Sequence, residues 1–176
     1  MGSALLLLHW DRISVTIIPL YTNMCSINER VTIMSTPISI VTLGVEDVGR
    51  SRQFYEEGMG WPVSSDSSEE IVFINLRGTV LALYAYEDLA EETGLPMTRG
   101  LGFGGITLAQ NFSTKEEVDQ VMETARAAGA LILTPPVDRH WGGYSGYFAD
   151  LDGYPWEIAW GPNSEFNEDG TLRLRE

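Results

Sequence analysis

The 176-residue sequence predicts an α+β protein, two tandem βαβββ modules forming a curved mixed sheet with a ligand cleft. Three observations carry that expectation. Short runs of alternating apolar residues read as half-buried strands. Two amphipathic stretches, each preceded by a capping residue, read as helices. The order of these elements then repeats within one chain.

The first strand is ISIVTLGV from Ile38, where Val41, Leu43 and Val45 alternate with Ile40, Thr42 and Gly44. Asp47 is placed to cap a helix whose Val48, Ser51, Phe54 and Tyr55 share a face, and Gly58 and Gly60 end it. Ile71 to Leu76 and Thr79 to Tyr86 flank Arg77-Gly78 as a hairpin. The pattern restarts with the strand GGITLAQ. Ser113 with Glu116, or Thr114 with Glu117, offers a capping box to a helix carrying Val118, Val121, Met122 and Ala125 on one side, and Gly129 stands at its end. Strands at Ala130 to Val137, Tyr144 to Ala149 and Tyr154 to Trp160 complete the second copy, the last two turning at Asp152-Gly153. Thr42-Leu43 and Thr107-Leu108 align at an offset of 65, and Arg77-Gly78 and Asp152-Gly153 at 75. The expected domain is 34–176, with module one at about 38–98 and module two at about 102–162.

Composition narrows the partners. With 25 acidic against 11 basic residues and a formal charge of -14, the chain repels nucleic acid and anionic membrane, and it favours a neutral or cationic guest. Its single cysteine, Cys25, excludes an internal disulfide and a cysteine-based zinc site, and points to a cytoplasmic location. Residues 1–33 form a segment of different character. The apolar run Ala4 to Leu8 lacks a preceding basic residue and is cut short by His9-Trp10-Asp11-Arg12, so it fits neither a signal peptide nor a membrane span. Asp11 and Glu29 balance Arg12 and Arg30, leaving the full negative charge to the remainder. The natural start is therefore expected at Met34, although the alternation Ile13-x-Val15-x-Ile17 keeps a strand or a partner-binding arm open.

Three segments, VTLGVEDVGRSRQFYEEGMGW, GITLA with the following EEVDQVMETARAAGA, and GYFADLDGYPWEIAW, resemble the vicinal oxygen chelate superfamily. That group includes glyoxalase I, bleomycin-resistance proteins and extradiol dioxygenases, and the likeness runs from Ile38 to Pro162. It implies a shared cleft into which each module places two metal ligands, one, usually His, at the start of its first strand and one, usually Glu, in its last. Those positions fall on Ile40 and Gly105 in the first strands and on Ala82 and Glu157 in the last. Zinc, iron or manganese needs three or more protein donors, and Glu157 stands alone. His9 lies in the extension and His140 in a loop, so neither replaces the missing ligands. No metal and no other cofactor is expected, and glyoxalase I or dioxygenase chemistry is not expected either. The resemblance also implies association into a homodimer.

Alternation fixes which residues would line the cleft. Ile40, Thr42 and Gly44 face it from the first strand, Gly105, Thr107 and Ala109 from its counterpart, Val80, Ala82, Tyr84 and Tyr86 from the third, and Pro155, Glu157 and Ala159 from the last. Trp61, Trp156 and Trp160 are assigned to the core. Trp141, Tyr144 and Tyr147, set among Gly142, Gly143 and Gly146, read either as a mobile aromatic lid or as rings packed on permissive turns. Glu157 has three readings: a hydrogen-bonded relic, an anchor for an amine or guanidinium, or a general base partnered by Tyr84 or His140 as acid. The loop GLGFGG leads into a strand and lacks the lysine of a phosphate loop, and no Ser-His-Asp or Cys-His set is legible. The resulting expectations are a glyoxalase/bleomycin-resistance-like protein holding a small organic molecule without metal, an isomerase or lyase of the same fold using Glu157 as base, or a ligand-free dimerisation module.

Overall fold

A computed structural model of the protein describes residues 38–98 and 102–173. The expectations for residues 1–33, His9 and Cys25 among them, lie outside the described residues.

Module one begins with β1 (Ile40–Val45), whose odd-numbered Leu43 and Val45 are buried as the alternation requires. The Asp47 carboxylate accepts the Arg50 N–H at 2.8 Å and caps α1 (Val48–Gln53), which widens into a π-helical turn at Phe54–Gly58. The hairpin of β2 (Ile71–Leu76) and β3 (Thr79–Ala85) follows, and β1 lies parallel to β3 in the order β1-β3-β2. Where a βαβββ unit has one more strand, this module keeps a single bridge, Val63 to Ile74. Pro62 cannot donate to a ladder, and the Ser64–Glu70 run turns its hydrogen bonds inward, with Ser64 and Ser68 side chains accepting from Asp66, Glu70 and Ile71 N–H groups. The residues after β3 form α2 (Tyr86–Thr93), whose first residue the alternation assigns to the end of the strand; Glu87 and Asp88 sit in its first turn, where the helix dipole favours acids, and Gly94 ends it at φ 67.

Module two contains β4 (Leu108–Phe112), α3 (Lys115–Ala127), β5 (Leu131–Asp138), β6 (Tyr144–Ala149) and β7 (Pro155–Trp160), ordered β4-β7-β6-β5 with β4 parallel to β7. Of the two capping boxes the sequence offers, Thr114 with Glu117 forms. A short hairpin of β8 (Glu165–Phe166) and β9 (Leu172–Arg173) trails the module. Strand β4 starts three residues later than the alternation suggests. Gly105 adopts φ 84 outside it, and Ile106, expected to face the helix, is 51% exposed.

The two modules share one topology at a corrected offset. Their helix caps, Asp47 and Thr114, stand 67 residues apart, and the register places Thr42 beside Ala82 and Ala109 beside Glu157. Ile40 therefore corresponds to Thr107 rather than Gly105. A slip of two residues leaves every side chain on its original face.

One apolar core joins the modules, running from Leu43, Val45 and Tyr55 through Leu81 and Leu83 to Val118, Phe148, Trp156 and Ile158. The DLDG turn between β6 and β7 fastens it. Asp152 accepts the Glu46 N–H at 2.8 Å, Arg50 at 3.0 Å and the Ser51 hydroxyl at 2.6 Å, and Tyr154 donates its hydroxyl to the Gly44 carbonyl at 2.9 Å. Asp150 accepts the Tyr55 hydroxyl at 2.5 Å, and the Tyr55 oxygen in turn accepts the Trp156 indole N–H at 3.1 Å. This acidic turn is an inter-module fastening.

Burial pushes the Tyr55 hydroxyl well above the tyrosine range, and the Asp150 charge adds to the shift. Its folded pKa thus exceeds its unfolded value, so its contribution is complete below pH ~10 and is lost as pH rises towards the folded value. The melting temperature is expected to fall on raising the pH above ~10, and to fall less steeply in Tyr55→Phe. Parallel curves for the two proteins would show that Tyr55 does not carry the alkaline transition.

Candidate functional site

Helices α1 and α3 cover one face of each half-sheet, and the even-numbered Trp156 and Ile158 of β7 are buried there. Glu157 therefore points to the opposite face, where it is half-buried. Tyr147 of β6 is directly across from it in register, so the two side chains are neighbours on that face. Burial, reinforced by the neighbouring Glu157 carboxylate, raises the Tyr147 hydroxyl above its ordinary value, while the nearby Arg139 opposes the shift.

Arg139, not singled out in the sequence, completes the group. Its guanidinium lies 5.7 Å from the Tyr147 ring centroid and is fixed on Ser145, through Nε to the hydroxyl at 3.0 Å and Nη2 to the carbonyl at 2.9 Å. An arginine so pinned presents a preorganised donor at small entropic cost. Carboxylate, phenol and guanidinium now lie on the uncovered face of sheet two.

The other residues assigned to the cleft disperse. Thr42 is exposed on β1, and Thr107 is exposed with its hydroxyl on the Pro155 carbonyl at 3.0 Å, so neither holds Glu157. Tyr84 donates to Glu92 of α2 at 3.1 Å. Helix α2 itself packs on the cleft side of sheet one: a Cβ on Gly44 would stand 2.9 Å from Tyr86 Cδ2 and 3.3 Å from Leu89 Cδ2. The space expected beside Gly44 is filled by α2. Tyr144 is corrected to the opposite face, because its even position turns it to α3, where its hydroxyl donates to Asp119 at 2.7 Å and is pushed up to about 12 chiefly by that bond. Lys115 lies 5.1 Å over its ring and 5.4 Å over that of Trp160.

The aromatic lid resolves into a tight hairpin end. Arg139 N–H bonds to the Gly143 carbonyl and Gly142 N–H to the Arg139 carbonyl, at 2.8 and 2.9 Å, closing the loop that carries exposed His140. Trp141 folds back on Gly143 so closely that a Cβ there would fall 1.6 Å from its ring. A cavity of about 460 Å³ lies elsewhere, at the ends of β1 and β3, walled by Val45, Glu46, Ala85, Tyr86 and Met97; no residue of the Glu157 group lines it.

A metal does not fit the donors at the aligned positions. Ile40 and Ala82 have no ligating atom, Thr107 offers a neutral hydroxyl already bonded to backbone, and Glu157 is a lone carboxylate. Among the described residues no three His, Cys, Asp or Glu side chains come together in a way that could hold an ion.

Paired half-sheets, each with its first and last strands parallel and a helix covering one face, define a tandem-module α+β protein. The chain belongs to the Glyoxalase/Bleomycin resistance protein/Dioxygenase superfamily, whose model matches residues 38–158, in accord with the vicinal oxygen chelate likeness of its motifs. It is similar to a glyoxalase-related enzyme from Fulvimarina pelagi, with 36% identity, a TM-score of 0.72, and coverage of 79% of this chain and 98% of that one. A glyoxalase/bleomycin resistance protein/dioxygenase from Nocardioides is 27% identical over 78% of this chain and 93% of its own, with a TM-score of 0.62. Lactoylglutathione lyase from Agrobacterium tumefaciens shares the fold alone, at 19% identity and a TM-score of 0.54 over 72% of this chain and 94% of that one. A comparison with curated protein sequences returned no match. Among the described residues no helix is long and apolar enough to cross a membrane.

Proposed function

We propose that the protein binds a small organic molecule on the uncovered face of sheet two, with Glu157 as its polar anchor and without a resident metal. The observation that carries this reading is the Glu157–Tyr147 pair beside the pinned Arg139 guanidinium. A half-buried carboxylate beside a phenol has acceptor capacity for an amine or hydroxyl of a guest. The formal charge of -14 weighs against a guest with net negative charge and leaves neutral or cationic molecules favoured. The setting we assign is a cytoplasmic homodimer: the single cysteine supports the first, and exposed Leu131, Leu133 and Val137 along the edge strand β5 support the second.

A thermal-shift screen with amines, aldehydes and cationic drugs tests the reading. One chemical class is expected to stabilise the protein, and Glu157→Gln to weaken that ligand by about tenfold or more, the worth of a charge-assisted hydrogen bond. Undiminished binding in the variant would remove Glu157 from the site.

A second reading is favoured by Arg139. A general base needs a group to stabilise the anion it creates, and a guanidinium beside Tyr147 supplies one. Glu157 would take a proton from the α-carbon of a β,γ-unsaturated carbonyl compound, Arg139 would stabilise the dienolate oxygen, and the proton would return to the γ-carbon, moving the double bond one place into conjugation. Such an isomerisation leaves redox state and composition unchanged. Turnover lost in Glu157→Gln while binding persists would distinguish it from simple binding.

A further inference from the structure

We infer that the guest is a zwitterion, a small molecule whose carboxylate sits on Arg139 while its ammonium group faces Glu157. The inference rests on the binding site proposed above and adds the chemistry of what fills it. Two opposite charges flank one tyrosine: Arg139 lies 5.7 Å from the Tyr147 ring, and Glu157 is the cross-strand neighbour of Tyr147 in register. The guanidinium is held at Nε and Nη2 by Ser145, itself only 1% exposed, so its position is set before a ligand arrives. No hydrogen bond ties Nη1 of Arg139 to another described residue, which leaves that nitrogen for a ligand oxygen. A cation-only guest would meet Glu157 and the repulsion of Arg139. An anion-only guest would meet the reverse, in addition to the acidic surface of the whole chain. A zwitterion is neutral overall and satisfies both groups.

The test is isothermal titration of the full chain with phenylalanine and with 5-aminovalerate. Each is compared with its carboxamide, its decarboxylated amine and the acid lacking the amine. In the wild type at least one amino acid is expected to bind about tenfold or more tightly than its carboxamide, the loss expected for one charged contact. Arg139→Gln is expected to erase that difference while binding of the amine persists or improves. Retained amine binding also verifies that the variant is folded. Glu157→Gln is expected to erase the preference for the amino acid over the acid lacking the amine. Equal binding of amino acid and carboxamide by the wild type would overturn the zwitterion and leave the site intact. If none of the eight compounds bound while the broader amine and aldehyde screen succeeded, the zwitterion would likewise fall; failure of both sets would remove the binding site itself.

Discussion

Replacing Trp156 with alanine is expected to cost the fold about 3–5 kcal/mol, the range for emptying a buried aromatic position. Trp156 is 3% exposed and stands at the junction of the modules. Its ring packs edge-on against Trp61 at 5.1 Å and against Tyr55 at 6.1 Å, and lies parallel to Phe148 at 6.3 Å. Its indole N–H also donates to the buried Tyr55 hydroxyl. Truncation removes these contacts together, and the β-strands on either side hinder collapse of the space. A lower urea midpoint with an unchanged slope would report the loss. Trp156→Phe keeps a ring in place and surrenders the N–H, so most of the stability is expected to return. A midpoint close to wild type in Trp156→Ala would mean that the two modules are not held by a common core.

The second large effect is expected at Asp152, where alanine should cost about 2–4 kcal/mol through unpaired donors and a broken fastening. Its side chain is only 2% exposed and receives the Glu46 N–H, the Arg50 guanidinium and the Ser51 hydroxyl. The buried Ser51 hydroxyl loses its acceptor inside the protein, and the Glu46 amide, on an exposed residue, must find water instead. Arg50, with 41% of its side chain exposed, regains water. Arg50→Ala is therefore expected to cost far less, within the ~1 kcal/mol of exposed pairs. Chemical denaturation of the two variants separates the cases. Equal losses would show that the ion pair, rather than the buried donors, carries the energy.

Much of this architecture is legible in the sequence because it is written locally. Asp47 and Thr114 announce helix starts through hydrogen bonds three residues away, and the alternation in β1, β3 and β7 places Leu43, Leu81 and Trp156 inside without knowledge of their partners. The site is less legible because its members are set by features that alternation does not follow. Strand β5 changes register twice around Pro135 and Pro136, so no period could carry the pattern on to Arg139. The repeated Thr-Leu pair gave a false anchor two residues from the true correspondence, which only the cap positions and strand register reveal. Parity alone would have turned Tyr144 towards α3, away from Tyr147, had it been weighed above the cluster of aromatics. The partners of Asp150 and Asp152 lie about a hundred residues upstream, at Tyr55 and Ser51, a separation no short motif encodes.

The proposal of a metal-free site rests on residue identities: Ile40, Ala82 and Thr107 at positions where the family resemblance implies ligands, and Glu157 as the one carboxylate among them. The account accordingly assigns Glu157 to an organic guest. The most direct test is the metal content of the protein purified, without chelators, from metal-replete culture. Zinc, iron and manganese each far below one equivalent per chain is the predicted result. One equivalent of any of them, lost in Glu157→Gln, would contradict the account and return the protein to metal-assisted chemistry.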